Sequence, residues 1–363
     1  MSILQNFRRY VYPIGALLAV CSVLLWQMTP TESSFLGALS GMGVVLYAVS
    51  GGFILLCAAA AALGKKKSGA LKPAAAALGG VLALVFLLVF ADRIVISFVE
   101  TARLALASDT NPQSFLGSMI YMLWNGRSMF LTGIWTTVRI ALIGTAVAFV
   151  LALLMVFLRI QKGARQDGDT LRFIKGFGRV FSKLYITVIR GTPMMVQTLI
   201  IYYAGFGIFK SSGMSVTEIN NIWSCFISGL ITVSLNSTAY LAEVLRGGIE
   251  AIDAGQNEAA RSLGMTNWQA MTKVVFPQAI KNSIPAIGNE FIINIKDSSV
   301  LSVIGCYDLM FATTSVVGIY YKALPVYCIA AITYLILTCL SSLIMKGISK
   351  RLDTPAVSLP SSN

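Results

Sequence analysis

The 363 residues are 56 % hydrophobic and 12 % charged, against about 25 % charged in ordinary soluble domains, and mean hydropathy is +0.76. That balance excludes an ordinary soluble enzyme and points to an all-α integral membrane protein with several spans. Histidine is absent, which removes Ser-His-Asp triads, Cys-His dyads and histidine-ligated metal sites; no catalytic and no metal-binding residue is assigned.

The first apolar runs fall at roughly 11–28, 42–63 and 74–96, each near the ~20 residues that cross a bilayer as a helix. Arg8-Arg9 before an apolar stretch resembles a signal, but Val20 is bulky where a small residue belongs and no A-x-A site follows, so a retained first span is expected. The stretch 57–80 is rich in Ala and Gly around a Lys65-Lys66-Lys67 turn, a composition that favours close helix packing. Residues 1–110 are therefore expected to form a three-span extension of packing or insertion character, low in polar chemistry. An outside connection is expected over 97–128, with Ser108-Asp109-Thr110-Asn111-Pro112 as its turn and Trp124 as an interfacial anchor.

Five more runs follow at roughly 130–158, 193–209, 222–245, 282–305 and 325–345, making about eight transmembrane helices. The six cysteines form no CxxC and sit mostly inside these runs, as small buried hydrophobes do. With the N-terminus cytoplasmic, 21 of the 28 lysines and arginines fall inside; Arg103, Arg127, Lys210 and Lys322 fall outside, and Arg93, Arg139 and Lys296 lie within spans. The bias places both termini in the cytoplasm and accounts for the net charge of +13 without a nucleic-acid partner. From about residue 115 polar residues enter the spans: Thr132, Thr136, Thr137 and Arg139, then Gln197 and Thr198, then Thr232, Ser234, Asn236, Ser237 and Thr238. Such groups at membrane depth face a bundle interior or a wet path.

The loop 246–281 is too charged to span a membrane. It reads as two short helices: Ala251 to Leu263, stopped by Gly264 with φ > 0, and a second that begins at Thr266 or Asn267 and ends before Pro277. Glu258 and Arg261 are three apart and face together, and Ala259 and Ala260 leave a smooth surface that another protein can approach. Upstream, Pro193 suits the first turn of a helix, and Arg190 then stands at the cytoplasmic headgroup level, either as a positive-inside anchor or in a gating or interface contact.

Glu258-Ala259-Ala260 with Gly264 and Val275-Phe276-Pro277 resembles the EAA motif of ABC importer permeases. Arg190-Gly191-Thr192-Pro193 with Val196-Gln197 resembles the signature of the polar amino-acid permeases, the histidine/glutamine-type importers. Ala239-Tyr240, Glu243, Arg246-Gly247-Gly248, Gly255-Gln256, Pro277-Gln278-Ala279 and Lys296-Asp297 fit the same family. The resemblance covers about 115–350. It implies a five-helix type I permease core over 111–350 behind the extension, with 246–281 as coupling loop and 351–363 as cytoplasmic tail, in a bacterial plasma (inner) membrane. It also implies the partners: two copies of an ATP-binding subunit that hold ATP-Mg, a second permease subunit in a homo- or heterodimer, an extracytoplasmic solute-binding protein, membrane lipid and an amino-acid substrate. No cofactor is expected on this chain, because no G-x-x-x-x-G-K-[ST] run occurs. Glu258, Ala259, Ala260, Arg261 and Gly264 are the expected ATPase contact. Three features depart from the family pattern: the three extra spans, Asp253-Ala254 in place of a Pro-basic pair, and Ser298-Ser299-Val300 in place of Thr-Ser-Leu. An ion-coupled secondary amino-acid transporter is an alternative that explains the polar spans but not the EAA loop; a transport-inactive scaffold or sensor subunit is another.

In span seven, Glu290, Asn294 and Asp297 share a helical face, and Lys296 lies about 240° round from Glu290. An amino acid brings an ammonium and a carboxylate, so Glu290 with Asn294 forms a candidate ammonium site. Equally, these charges lock helix packing or a subunit interface.

Overall fold

The computed structural model describes residues 2–27, 42–62, 72–161 and 168–351, and every regular element among them is helical. The Lys65–Lys67 turn and all but the first residue of the tail lie outside the described residues. Each of the eight apolar runs coincides with a helix, edges aside. Among the described residues four helices are long and apolar enough to cross a membrane, or six if each of two bent pairs counts as one span, and two shorter apolar helices occur at Ile14–Trp26 and Gly43–Ala59. The chain divides into two compact units, Met1–Tyr121 and Met122–Asn363.

The first unit packs α1 (Ser2–Trp26), α2 (Met42–Ala62) and α3 (Lys72–Phe90) against one another. Ala19, Phe53 and Leu82 form one buried cluster and Leu46, Val85 and Val89 another. Here one expectation is corrected. The third helix does not stop at 96: a π-turn over Ala91–Ile96 carries it into α4 (Ser97–Ala107), and α5 (Phe115–Asn125) follows the Ser108–Pro112 turn. The residues 97–107, assigned to an outside connection, are apolar enough to prolong the helix. Arg93, expected within a span, has Asp92 beside it. The π-turn, which widens the helix by one residue, turns both Asp92 and Arg93 inward, and they are 1 % and 6 % exposed. Arg93 Nε lies 3.6 Å from Asp92 Oδ2, and its guanidinium stands 4.7 Å over the Trp26 ring.

The second unit is built on α6 (Arg127–Ile160), whose 34 residues extend about 50 Å at 1.5 Å per residue. It packs against α10 (Cys225–Glu250), and α13 (Phe276–Asp297) packs against both. Small side chains let these axes approach: Ala148 and Ala152 of α6 and Ala239 and Ala242 of α10 are buried in one cluster with Val156, Leu241 and Leu245. Around this trio lie α7 (Asp169–Arg190), α8 (Met194–Ser211), α14 (Leu309–Tyr320) and α15 (Ala323–Arg351). A short helix, α9 (Val216–Ile222), links α8 to α10 and opens on a Ser215–Glu218 capping box; the Ser215 hydroxyl hydrogen bond holds the Glu218 carboxyl below its ordinary range.

Span seven, expected over roughly 282–305, ends as an α-helix at Asp297; a 3-10 turn (Ser298–Ile304) completes it and ends at Gly305, and α14 follows at 52° to the preceding helix. Asp308, fully buried, caps α14 by accepting from the Phe311 amide at 2.8 Å, while the Leu309 amide donates to Thr137 Oγ1 of α6 at 3.1 Å.

Candidate functional site

The loop expected to couple begins where α10 runs out. The helix extends to Glu250, so the next one is shorter than expected: α11 spans Ala254–Ser262, not Ala251–Leu263. Asp253 explains the start, because its carboxylate accepts from the Gly255 amide at 2.7 Å and caps the helix. The acidic residue that departs from the family pattern is thus a working N-cap. Gly264 has φ +83° and nothing within 4 Å of where a Cβ would stand; the stop is conformational, not steric. Thr266 then opens α12 (Asn267–Ala270) with a capping box to Gln269.

The second loop helix does not end before Pro277. A π-turn over Met271–Val275 leads straight into α13, with Pro277 in its first turn, where a missing N–H is tolerated. The second loop helix is therefore continuous with span seven. It is also pinned to α6 by an edge-to-face contact of Trp268 on Phe157 at 5.2 Å. A cavity of about 510 Å³ opens between Ile160 and Gln161 of α6, Lys175 of α7, and Asn257, Asn267 and Trp268 of the loop.

Glu258, Ala259, Arg261 and Gly264 are exposed. Ala260 is not: it is 4 % exposed and turned inward, since successive helix residues point 100° apart. The smooth outer surface expected of both alanines belongs to Ala259 alone. Sequence reasoning missed Leu263, which is 82 % exposed beside Gly264 and adds an apolar knob to the face.

At the same end of the spans, four charges form a ladder. Arg159 of α6 pairs with Glu243 of α10, Glu243 accepts from Arg246 Nε at 2.9 Å, and Arg246 Nη1 reaches Glu250. Two cations bracket one carboxylate at a half-buried level. One turn on, α10 and α13 come into backbone contact, because a Cβ on Gly248 would stand 3.0 Å from the Ala279 carbonyl oxygen.

The Arg190–Pro193 segment is the corner between α7 and α8, which bend by 110°. Gln197 of α8 holds it. Its Nε2 donates to the Ile189 and Thr192 carbonyls at 2.8 and 3.0 Å and to Thr192 Oγ1 at 2.8 Å, while its Oε1 accepts from Asn236 Nδ2 of α10 at 2.9 Å. Gly191 continues the helix end, its amide bonding to the Thr187 carbonyl. Arg190 lies with its guanidinium 5.2 Å over the Tyr240 ring.

In span seven, Glu290 and Asn294 are brought together on the buried face, Asp297 is half-buried, and Lys296 is exposed. Asn294 ties three helices: its Oδ1 accepts from Ser237 Oγ of α10 at 2.8 Å and its Nδ2 donates to Thr145 Oγ1 of α6 at 2.8 Å. Both ends of that amide are engaged within the bundle, and Ser237 is also the hydroxyl beside the Glu290 carboxylate. No group of three or more potential metal ligands occurs among the described residues.

Residues 168–354 match the family described as binding-protein-dependent transport system inner membrane component. The glutamine transport system permease protein GlnP of Escherichia coli (strain K12) is 30 % identical over 230 residues, covering 63 % of this chain and 95 % of that protein. The nopaline transport system permease protein NocM of Agrobacterium fabrum is 31 % identical over 209 residues, or 56 % of this chain and 79 % of its own length. A solved amino acid ABC transporter, crystallised with histidines, aligns with TM-score 0.55 and 32 % identity over 66 % of this chain and 99 % of that one.

Proposed function

The chain belongs to the family of inner-membrane components of binding-protein-dependent transport systems, the non-catalytic multi-pass permeases of ABC transporters, and on that premise we propose that it passes polar or charged amino acids through the membrane. The substrate class follows the relatives, two of which handle glutamine and nopaline by name. Eight spans, five of them a core over 111–350, and cytoplasmic termini fit the distribution of lysine and arginine. The complex would hold two permease subunits, two ATP-binding subunits and a solute-binding protein outside.

The observation that carries the reading is the face of Glu258, Ala259, Arg261, Leu263 and Gly264, displayed on a short helix that one tight turn joins to the helix running on into span seven. The short helix also touches α13 through Gln256, whose Oε1 accepts from Gln278 Nε2 at 3.4 Å, and α13 carries Glu290 and Asn294. ATP-driven closure of the ATPase pair would thus reach the polar interior through the loop and α13, as alternating access requires. Arg190, Gly191, Thr192, Pro193 and Gln197 form the corner about which α8 is held. Glu290 is the candidate partner for a substrate ammonium; Asn294, Lys296 and Asp297 serve the packing.

The test is purification of the chain with its ATPase and uptake of a panel of labelled amino acids by the reconstituted complex. Gly264→Asp should insert normally yet lose ATPase co-purification or substrate-stimulated hydrolysis. Normal assembly and transport in that variant would remove the loop from the coupling site.

A further inference from the structure

Neither the coupling face nor the polar interior uses the outer sides of α7. This helix has three sides. Gly178, Ser182 and Ile186 are buried against the rest of the unit, with Ser182 Oγ donating to the Met155 carbonyl of α6 at 2.9 Å. Phe173, Phe177, Val180, Phe181, Leu184 and Val188 are exposed, the first three by 74, 64 and 66 %. Arg172, Arg179, Lys183 and Arg190 are exposed as well. At 100° per residue the apolar side chains fill a sector of about 100° and the cations one of about 40°, with centres about 130° apart. Six contiguous large apolar side chains do not stay in water.

What covers them follows from the bend and the charges. Because α7 turns 110° from α8, an α8 that runs along the membrane normal leaves α7 about 20° from the membrane plane. An apolar sector flanked by cations, rather than opposed by them, fits acyl chains on one side and headgroup phosphates beside them. Arg179 donates to the Gln161 carbonyl at 2.6 Å and Arg190 lies over Tyr240; a protein partner would match the phenylalanines but leaves Arg172 and Lys183 unexplained. The end of the bundle is also the right one, since Lys175 shares the cavity at the coupling loop. We propose that α7 lies in the inner leaflet and binds anionic phospholipid, its phenylalanine side among acyl chains and Arg172 and Lys183 on lipid phosphates. The assignment rests on the reading that the coupling loop is cytoplasmic.

Phe177→Trp, in the full chain with its ATPase, provides the probe. The complex is reconstituted in vesicles of fixed phosphatidylcholine and phosphatidylglycerol content, with bromine placed on the chains of one lipid or the other. The added tryptophan is read against the five native ones. Brominated phosphatidylglycerol should quench it about fivefold more per bromine, the partition shift of a single basic residue near such lipid. In Arg172→Gln/Lys183→Gln the ratio should fall towards one. Equal quenching by both lipids would overturn the proposal, as would no quenching by either, which would place protein, such as a second permease copy, over the apolar side. Val180→Trp repeats the reading if Phe177→Trp does not fold. Co-purification of the ATPase with the same protein reports separately on the permease reading, so the two fail independently.

Discussion

Gln197→Leu should be the most costly single change at the α7–α8 corner. The side chain is 8 % exposed and makes four hydrogen bonds, three to the turn and one to α10. Leucine keeps the approximate volume and removes all four. At the ~0.6 kcal/mol average found for interhelical bonds in membrane proteins the loss is about 2.4 kcal/mol; at ~1 kcal/mol each, the soluble value, it is about 4. Over a unit of this size each kcal/mol lowers the midpoint by about 2–4 °C, so a fall of about 5–15 °C is expected. Thermal unfolding followed with a thiol-reactive fluorophore suits the measurement, since all cysteines are free and Cys306 is buried. Part of the cost comes from the orphaned Asn236 amide. Adding Asn236→Leu should therefore cost less in the Gln197→Leu background than alone, by about 0.5–1 kcal/mol. Strict additivity, or a midpoint within about 2 °C of the parent, would show that Gln197 does not hold the corner.

Glu258→Lys, on an exposed residue, should leave stability within about 0.5 kcal/mol of the parent yet lower the amount of ATPase that co-purifies; unchanged co-purification would take Glu258 off the contact. Glu243→Gln leaves Arg159 and Arg246 facing each other across a neutral amide. At their half-buried level this should cost about 1–2 kcal/mol, read as a lower midpoint whose deficit narrows in high salt. Glu290→Gln preserves shape and should preserve assembly, while raising the apparent KM for uptake of an amino acid whose ammonium meets the carboxylate. Parental uptake and ATPase stimulation would remove Glu290 from the substrate path.

The apolar helices were legible because hydropathy is a one-dimensional signal: a run of apolar residues near 20 long has few fates. Loop chemistry was equally legible where one residue decides it, as at Gly264 with its positive φ and at Thr266 with its capping box. What could not be read was which polar side chains meet. Gln197 and Asn236 are 39 residues apart, Arg159 and Glu243 are 84, and Thr145 and Asn294 are 149; nothing local in the sequence joins them. Helix ends were misplaced for a related reason. Pro277 reads as a helix stop and 97–107 as a connection, but a π-turn just before each carries the helix on, adding one residue and re-aiming the side chains.

That same device separates the two charged places of the chain. At Met271–Val275 the π-turn keeps the chain helical from the 246–281 loop into span seven. At Ala91–Ile96 it instead carries an ion pair into the apolar first unit. Arg93 Nε and Nη1 are buried without a hydrogen-bond partner, so the Coulomb attraction of Asp92 and the face of Trp26 offset the desolvation of the cation. The pair thus gives the first unit a structural dependence on charge.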